Sequence, residues 1–480
     1  MIFRQILYRD LGCASYFLAD EGQAAVVDPR WDIEVYLELA VQEGVRIAHV
    51  LDTHMHADHV SGRERLAERT GARAYVPVDS SPAGEDTNGH EHAEIVAGDT
   101  LALGRLRLRA WATPGHRPEH LSIVVCDISR GDDPWMVLSG DSLLVGDLAR
   151  PDLAVEPHAG ARELRESLDE LLQLGDHVEL WPAHVGGSLC GGAGLSGKTS
   201  STIGYERRHN PLLESEEELF VAELLRELPP RPPNLARVVT LNRDRNARAP
   251  LPLSELDDDT LVREIATGAH VIDGRPPAAF DAGHLRGAIN LPAGRSQGTR
   301  AGWVLSLDDR LVVVGSDLDH ARQVALGLHA VGLWDVVGLA AGQPERWLDR
   351  GLEVQRTSSW DVATLAQRLG REEIQLIDVR EHDEWDSGHV RGSQNLPLHQ
   401  LTDPDAIGPQ QSGGPLAVIC AGGMRAAFAA SVIRGWGHTD VIRVTDGGVG
   451  NLPAHGIALV VDQTDTEAGR DSKPAARALA

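Results

Sequence analysis

Short apolar runs alternate with polar, turn-forming segments along most of the chain, and several runs end in residues that can bind a metal. The run Ile47-Ala-His-Val-Leu-Asp52 predicts a buried strand, and a cluster of histidines follows it directly. Three later runs also predict strands, and they end at His116, Asp141 and His184. The first half of the chain therefore places potential metal ligands at the ends of several strands.

The second half repeats a different pattern. Apolar strand-like runs alternate with helical patterns over roughly residues 260–460, which predicts parallel α/β units. Asp273 and Asp378 are equivalent positions 105 residues apart, and the segments 283–292 and 388–397 match at the same offset. We interpret these segments as two copies of one small domain of roughly a hundred residues.

Length, charge and hydropathy restrict the function classes. A chain of 480 residues predicts several domains. The N-terminus does not resemble a signal peptide and no apolar run is long enough to span a membrane, so we expect a cytoplasmic protein without a membrane partner. The net charge of −26 disfavours nucleic acid as a binding partner, because binding to phosphates needs a basic surface. The four cysteines are far apart, which argues against a disulfide framework. Multidomain chains of this kind often form symmetric oligomers, so a homo-oligomer is among the expected partners.

Residues 53–59 carry the motif H-x-H-x-D-H, with His54, His56, Asp58 and His59. A solvated charged segment would contain Lys and Glu, and a core histidine would occur alone. Three imidazoles and a carboxylate so close together are typical of a metal site. With His116, Asp141 and His184, seven potential ligands are present.

This motif and the later Gly-His, Gly-Asp and Pro-Ala-His pieces resemble the metallo-β-lactamase fold, an αββα sandwich with metals at one edge of its two sheets. The resemblance implies two alternatives. In a dinuclear zinc hydrolase of the glyoxalase II type, His54, His56 and His116 hold one metal, the other is held by Asp58, His59 and His184, and Asp141 bridges. In a persulfide dioxygenase, His54, His116 and Asp141 bind one Fe(II). His56, Asp58, His59 and His184 then orient ligands or substrate.

The surrounding sequence favours the dioxygenase. Residues 139–153, with Gly-Asp-Ser-Leu and Gly-Asp-Leu-Ala-Arg-Pro-Asp-Leu, resemble persulfide dioxygenases, as do residues 182–191 and 201–211. Ala149 is a small departure from the commoner glycine. We expect Arg150 to form an internal ion pair with Asp147 or Asp152.

The second copy carries a candidate nucleophile. The strand Pro415–Ile419 leads into Cys420-Ala421-Gly422-Gly423-Met424-Arg425 and then a helix over residues 426–434. Backbone N–H groups of such a loop, together with Arg425, would stabilise a thiolate at Cys420. The repeated Asp-x-Arg, Gly-His-x-x-Gly and Asn-Leu-Pro pieces resemble the rhodanese family, which implies a persulfide carried on Cys420.

The first copy lacks this chemistry. The offset places Gly315 at the cysteine position and His320 at the arginine position. We expect the Ser316 hydroxyl to lack a neighbouring base, and therefore an inactive rhodanese-like domain. His284 and His389 are equivalent positions in the two copies. Because the histidine is present even in the copy without the cysteine, we predict a structural role for both.

The other three cysteines differ in their expected roles. Cys190 lies six residues after His184 in a Gly-rich loop that permits close approach to the metal site, so we treat it as a candidate catalytic thiol. Cys13 and Cys126 lie in apolar strand-like runs and are expected to be buried and inert.

These features predict an α/β multidomain protein. The expected domains are a metallo-β-lactamase-like domain at 1–240, an inactive rhodanese-like domain at 255–355, an active one at 358–460 and a disordered tail at 462–480. The Pro-rich segment 228–233 should end or reorient the last helix of the first domain. The resemblance implies that the first domain oxidises a small thiol persulfide with O₂ to sulfite, and that Cys420 transfers sulfur to give thiosulfate, as in sulfide detoxification.

Overall fold

The computed structural model describes residues 1–78, 93–186, 188, 190–192, 194–226, 228–243, 250–294, 296–369, 371, 374–407 and 414–461. The predicted tail at 462–480 and most of the expected linker between residues 242 and 250 lie outside them. The chain divides into two compact units, one formed by Met1–Arg275 with Leu291–Gln343, the other by Pro276–Asn290 with Pro344–Ala480.

Two sheets and their helices form the N-terminal part of the first unit. The first sheet has the strand order β1-β2-β3-β4-β5-β6 and the second the order β12-β11-β10-β9-β8-β7. The first-sheet strands are β1 (Ile2–Tyr8), β2 (Cys13–Asp20), β3 (Gln23–Val27), β4 (Arg46–Leu51), β5 (Arg73–Pro77) and β6 (Ala93–Ile95). The second-sheet strands are β7 (Thr100–Leu103), β8 (Leu106–Ala112), β9 (Leu121–Asp127), β10 (Pro134–Gly140), β11 (Glu179–Pro182) and β12 (Ser201–Thr202). The helices are α1 (Glu34–Glu43), α2 (Arg63–Thr70), α3 (Pro157–Leu171), α4 (Ile203–His209), α5 (Glu217–Arg226) and α6 (Leu235–Arg243).

Alternating side chains explain why these sheets stack. Along β9, Ile123 and Val125 belong to the apolar core between the two sheets, whereas Val124 and Cys126 belong to the core beneath α3 and α5. Helices α1 and α2 cover the outer face of the first sheet. A strand buried on both faces needs apolar residues at successive positions, as found here. The predicted αββα sandwich is confirmed.

The Pro-rich segment separates two helices of this part, as predicted. Helix α5 ends at Arg226 and α6 begins at Leu235. Proline cannot supply the backbone N–H that an uninterrupted helix needs, so α5 does not continue through this segment.

The repeated region consists of alternating helices and strands. Its first copy contains α7 (Asp258–Ala266), β13 (His270–Asp273), α8 (Pro277–Ala282), β14 (His284–Leu285), β15 (Ile289–Asn290), α9 (Gln297–Val304), β16 (Leu311–Gly315), α10 (Leu318–His329), β17 (Val336–Ala341), α11 (Pro344–Asp349) and β18 (Val354–Gln355). Strand β16 pairs in parallel with β13 and β17.

The second copy repeats the arrangement. It contains β19 (Ser358–Asp361), α12 (Val362–Leu369), β20 (Gln375–Asp378), α13 (His382–Asp386), β21 (His389–Val390), β22 (Gln394–Asn395), β23 (Leu416–Ile419), α14 (Met424–Gly435), β24 (Val441–Thr445) and β25 (Leu459–Val460). Five of these strands form a parallel sheet in the order β19-β24-β23-β20-β22. The predicted parallel α/β units are therefore present. None of the helices in the described residues is long and apolar enough to cross a membrane.

Candidate metal centre and thiol sites

The H-x-H-x-D-H motif lies in the loop between β4 and α2, and its residues are buried. A buried carboxylate from the end of β3 fixes the loop. Asp28 accepts hydrogen bonds from the backbone N–H of Thr53 at 2.6 Å and from the Thr53 hydroxyl at 3.0 Å. The same carboxylate also contacts the motif itself, since His56 Nε2 lies 3.1 Å from Asp28 Oδ1.

Three predicted ligands direct unpaired atoms at one another. His116 Nε2 lies 3.4 Å and His54 Nε2 lies 3.7 Å from Asp141 Oδ2. All three side chains are fully buried, and these three atoms have no hydrogen-bond partner among the described residues. Burying such atoms without a partner is unfavourable. Two imidazole nitrogens and a carboxylate oxygen that converge in this way fit a divalent metal ion.

The far sides of the two imidazoles support this arrangement. His116 Nδ1 lies 2.8 Å from the Arg150 carbonyl oxygen, which can only accept, so Nδ1 carries the proton and Nε2 presents a lone pair. His54 Nδ1 lies 3.0 Å from the Thr53 hydroxyl. Burial lowers the pKa of both His54 and His116, which keeps them neutral. Burial opposes ionisation of Asp141, but His184 outweighs it and holds the Asp141 pKa below its ordinary value.

The remaining predicted ligands are bonded among themselves. His184 Nδ1 lies 2.5 Å from Asp141 Oδ1, and its Nε2 lies 2.9 Å from Asp58 Oδ2. Asp58 Oδ1 in turn lies 3.0 Å from His59 Nδ1. Burial disfavours the imidazolium of His184, but the carboxylates of Asp141 and Asp58 outweigh it and raise the His184 pKa well above its ordinary value. The donor atoms of a second metal site are thus occupied by hydrogen bonds.

His56 is intermediate between the two groups. Its Nε2 is bonded to Asp28, whereas its Nδ1 is buried without a hydrogen-bond partner in the described structure. Burial lowers the pKa of His56, but the hydrogen bond to Asp28 and the charges of the nearby carboxylates together outweigh burial and raise the pKa to about 9.

Cys13 lies among the candidate metal ligands, a contact that the sequence did not indicate, and burial raises the pKa of its thiol well above its ordinary value. Its Sγ is buried, as predicted, but lies 3.1 Å from Asp58 Oδ2 and 3.3 Å from His184 Nε2. The start of β2 reaches His184 because Cys13 forms an isolated β-bridge with it. Pairing between segments 171 residues apart leaves no local signal in the sequence, so the pattern of apolar residues could not reveal this contact.

Cys190 lies beside the same histidine. Its sulfur, a ring nitrogen of His184 and a carboxylate oxygen of Asp141 all lie within 4.8 Å of one another. Burial raises the pKa of the Cys190 thiol well above its ordinary value. The predicted close approach of Cys190 to the metal ligands is therefore observed, and the thiol is protected from bulk solvent.

Two residues outside the motif hold the backbone segments that carry the metal ligands. The His120 ring nitrogen Nε2 accepts a hydrogen bond from the Asp141 backbone N–H at 2.8 Å, and burial lowers the His120 pKa to about 4. Asn242 of α6 donates to the backbone carbonyls of His56 and His59 at 2.8 and 2.9 Å. Sequence reasoning missed both, although His120 follows His116 closely enough to have been considered.

The first repeated copy also contacts the motif loop. The Val60 backbone N–H donates to the Ala330 carbonyl at 2.7 Å, and the Trp31 and Trp334 rings pack with centroids 5.6 Å apart. The end of α10 therefore braces the segment that follows the last histidine of the motif.

Arg150 forms the internal ion pair that was expected, and its partner is Asp152. The guanidinium contacts both carboxylate oxygens at 2.7 and 2.9 Å, and both side chains are buried. The pair fixes the backbone of Arg150, whose carbonyl holds His116.

The Cys420 loop connects β23 to α14. Cys420 is buried, and its Sγ accepts a hydrogen bond from the Gly423 backbone N–H at 3.0 Å. Gly423 has a φ of +89°, which favours glycine and turns its N–H toward the sulfur. Ala421, Gly422 and Met424 are exposed. The loop thus directs a backbone donor at the Cys420 sulfur, at the start of a helix.

Arg425 is held by a residue that the sequence did not single out. Its guanidinium makes a two-point contact with Glu384 of α13, at 2.5 and 2.7 Å. The side-chain hydrogen bond to Glu384 raises the Arg425 pKa, with Cys420 contributing in the same direction. This contact fixes a permanent positive charge near the thiol.

The corresponding loop of the first copy contradicts one expectation. Ser316 does have a neighbouring base, because its Oγ lies 3.3 Å from His320 Nδ1. The same nitrogen also accepts the Ser316 backbone N–H at 3.1 Å, and the Asp317 carboxylate accepts the His320 backbone N–H at 2.8 Å. A carboxylate therefore caps the helix where the second copy has its Gly-rich loop.

The two repeated histidines have matching environments. The His284 ring stacks on Phe280 at 3.7 Å between centroids, and the His389 ring stacks on Trp385 at 3.8 Å. Each ring Nδ1 lies within hydrogen-bond distance of the carbonyl of its stacking partner. These contacts agree with the structural role predicted for both.

Comparison with known proteins finds a matching family model in each half of the chain. Residues 8–184 match the metallo-beta-lactamase superfamily, and residues 257–350 and 361–452 each match the rhodanese-like domain. The chain is 27% identical over 246 residues to a mitochondrial persulfide dioxygenase of Bos taurus, an alignment that covers 50% of this chain and 87% of that protein.

Two further relatives bear on the interpretation. A hydroxyacylglutathione hydrolase of Synechococcus sp. is 28% identical over 165 residues, covering 34% of this chain and 60% of that protein. The crystal structure of a metallo-beta-lactamase from Staphylococcus aureus superposes with a TM-score of 0.63 at 29% identity, over 71% of this chain and 99% of that one.

Proposed function

The chain joins a metallo-β-lactamase domain to two rhodanese-like domains, and from this architecture we propose that it is an iron-dependent persulfide dioxygenase coupled to a sulfurtransferase. The substrate is the persulfide of a small thiol. The first domain uses O₂ and water to convert the persulfide into the free thiol and sulfite. The second rhodanese-like domain transfers a sulfane sulfur to sulfite and forms thiosulfate.

One observation carries the first half of this proposal. The unpaired atoms of His54, His116 and Asp141 form a two-histidine, one-carboxylate set, the usual ligand set of non-haem iron oxygenases. Bound by these residues, Fe(II) would supply the redox chemistry that lets O₂ react with the outer sulfur of the persulfide. His184 orients Asp141 through its second carboxylate oxygen. All three side chains are fully buried, so bulk water has little access to them.

The Cys420 loop supports the second half. A thiolate at Cys420 attacks the outer sulfur of a persulfide, the S–S bond of the donor breaks, and the donor thiol leaves after taking up a proton. Sulfite then attacks the sulfur carried by Cys420, which releases thiosulfate and restores the thiolate. The loop N–H groups and Arg425 stabilise the anions in both steps.

Replacement of Cys420 by serine tests the coupling. Since the metal ligands are unaffected, we expect O₂ uptake to persist in Cys420→Ser while sulfite accumulates in place of thiosulfate. Both products can be quantified by ion chromatography after reaction with glutathione persulfide, with Cys126→Ser as a control because Cys126 is buried in the core of the first domain. An unchanged thiosulfate yield in Cys420→Ser would exclude the coupled scheme.

Cys190 is a second candidate for catalysis. Because its thiol lies beside His184 and Asp141 but is not one of the three converging ligands, we expect Cys190→Ser to lower dioxygenase turnover at unchanged iron content. Oxygen-electrode rates and iron analysis on the same sample measure both quantities. Turnover equal to that of the wild type would show that Cys190 is only a small residue of the loop.

A dinuclear zinc thioester hydrolase is the alternative function. It is favoured by the similarity to a hydroxyacylglutathione hydrolase and by the presence of all seven candidate ligands. This alternative predicts two zinc ions per chain, and hydrolysis of S-lactoylglutathione at the same rate with and without O₂. The dioxygenase predicts strict dependence on O₂.

A further inference from the structure

A cavity of about 440 Å³ lies beside the segment that follows the metal ligand His116. Its walls come from Arg117 and Glu119 of this segment, from Leu153 and Ala154 of the loop before α3, and from one face of α6. The volume is within the range of about 300 to 1,000 Å³ that is usual for small-molecule sites. The proposed dioxygenase reaction, as described above, gives these residues no role.

Arg117 is buried in the wall of this cavity, and most of its hydrogen-bonding capacity is unused. Its side chain is only 4% exposed, and its Nε donates to Glu119 Oε1 at 2.8 Å. Its two terminal nitrogens have no hydrogen-bond or ion-pair partner in the part of the chain that the structure describes. Buried charged groups are normally paired and their N–H donors satisfied. The terminal nitrogens of Arg117 are therefore available to a ligand in the cavity.

We propose that Arg117 binds a carboxylate on the thiol part of the persulfide substrate and so determines which persulfides the metal domain accepts. The planar fork of a guanidinium matches the two oxygens of a carboxylate and donates to both of them. This inference rests on the proposed dioxygenase function and adds a substrate class to it. That class is the persulfides of thiols that carry a carboxylate, of which glutathione is an example.

The place of Arg117 in the chain suits such a substrate. Arg117 follows His116 directly, and consecutive α-carbons are about 3.8 Å apart. Glu119, which holds the Arg117 Nε, also accepts the Met55 backbone N–H at 3.1 Å. Met55 in turn follows the ligand His54. The subsite is thus built on the two segments that carry the imidazole ligands, within reach of a small thiol whose sulfur is at the metal.

The charges around the cavity favour an anion. Among the described residues that line it, Arg117 and Arg243 are basic and Glu119 is the one acidic residue. Arg243 lies on α6, is exposed and has no ion-pair partner in the described structure. The whole chain has a net charge of −26, so a surplus of positive charge at this cavity is a local exception. Such an exception raises the local concentration of anionic substrates.

Binding of free thiols to the anaerobic, iron-loaded wild-type protein tests the proposal without relying on a variant that must fold. We expect glutathione to bind, and glutathione diethyl ester, in which both carboxylates are masked, to bind roughly tenfold to a hundredfold more weakly. Isothermal titration calorimetry measures both dissociation constants. Equal affinities for the two thiols would overturn the proposal.

Replacement of Arg117 by glutamine locates the effect. We expect Arg117→Gln to lose roughly tenfold or more of its affinity for glutathione and to keep its affinity for the diethyl ester. Arg237→Gln is the matched control, because Arg237 is an exposed arginine of α6 that is not among the residues lining the cavity. A purely structural role, exerted through Glu119 and Met55, would instead weaken both ligands equally and lower the iron content.

Coenzyme A distinguishes a carboxylate from a phosphate as the anion that Arg117 binds. A guanidinium also pairs with phosphates, which coenzyme A carries and glutathione lacks. We expect coenzyme A to bind the wild type more weakly than glutathione does, in the same calorimetric experiment. Tighter binding of coenzyme A that is lost in Arg117→Gln would overturn the assignment to a carboxylate.

Oxygen uptake separates this inference from the proposed function. In a Cys420→Ser background, Arg117→Gln should lower kcat/KM for glutathione persulfide and leave kcat/KM for the persulfide of the diethyl ester near its original value. An equal fall for both substrates would overturn the specificity role while the dioxygenase stands. Glutathione binding that depends on Arg117, without O₂ uptake by the wild type, would contradict the proposed function and leave the carboxylate subsite in place.

Discussion

The two rhodanese-like copies share a scaffold but differ at the N-terminal end of one helix, α10 in the first copy and α14 in the second. In the second copy, the N-terminal end of α14 meets a buried thiol, and the Gly423 N–H donates to Cys420. In the first copy, the Asp317 carboxylate caps α10 and accepts the His320 N–H. A helix N-terminus attracts one anion. The first copy fills this position with its own carboxylate, whereas in the second copy the Cys420 sulfur lies there.

The rest of the scaffold did not diverge in the same way. Arg275 pairs with Asp273 at 2.6 Å in the first copy, and Arg380 pairs with Asp378 at 2.7 Å in the second. The copies therefore differ at this loop and retain the same ion pair after the equivalent strands β13 and β20. We infer that the first copy serves the adjacent metal loop, which it contacts through Ala330.

The largest predicted difference between the copies concerns sulfur transfer after substitution of Arg425 or of His320, the equivalent position in the first copy. Because Arg425 supplies the fixed charge near Cys420, Arg425→Gln should lower sulfur transfer to sulfite by roughly tenfold to a hundredfold, the equivalent of one charge-assisted hydrogen bond of about 1.5 to 3 kcal/mol. His320→Gln should have no effect. Initial rates of thiosulfate formation at varied sulfite measure the difference. Equal losses at both positions would remove the functional contrast between the copies.

A second prediction concerns the bracing of the metal loop. Asn242→Ala removes the side-chain amide that donates hydrogen bonds to the His56 and His59 backbone carbonyls. Both carbonyls then lose this hydrogen bond. Because these two carbonyls belong to the loop that carries the iron ligand His54, we expect iron affinity to fall by about 10- to 100-fold, the loss typical when support of a metal site is removed. Competition with a colorimetric Fe(II) chelator measures the affinity. Thr240→Ala, an exposed change on the same helix, is the control, and an Asn242→Ala protein with wild-type affinity would argue against bracing.

The smallest predicted effect concerns Gly315, the position of the first copy that is equivalent to Cys420. A Cβ at this position would lie 2.2 Å from the Ala321 backbone nitrogen and 2.5 Å from the Asp317 carbonyl oxygen. In a Cys420→Ser background, Gly315→Cys should therefore restore no sulfur transfer and should destabilise the protein by about 1 to 3 kcal/mol. Thermal unfolding measures the loss. Gly435→Cys, where a Cβ meets no atom within 4 Å, is the matched control. Restored transfer would show that the first copy lacks only its cysteine.

Local patterns predicted most of the fold and part of the site. The H-x-H-x-D-H motif and the Cys420 loop are contiguous, so their spacing is visible in the sequence. The positions of His116, Asp141 and His184 at the ends of strands could also be predicted, because each residue follows an apolar run. The two β-sheets and the repeated α/β units follow from the same apolar runs.

The remaining contacts depend on pairings that are distant in the chain. Cys13 reaches His184 through a β-bridge, Glu384 reaches Arg425 across 41 residues, and Asn242 reaches the metal loop from a different helix. Such contacts are set by how the elements pack. The Ser316 and His320 contact is local, and it was missed because the turn that joins them was not considered.

Oxygen uptake by the iron-loaded protein tests the central claim most directly. The protein is loaded anaerobically with Fe(II), its metal content is measured, and glutathione persulfide is added in an oxygen electrode. The account predicts rapid O₂ consumption at about one iron per chain, with sulfite and thiosulfate as the products. No O₂ consumption by a fully iron-loaded protein would contradict it and would favour the zinc hydrolase.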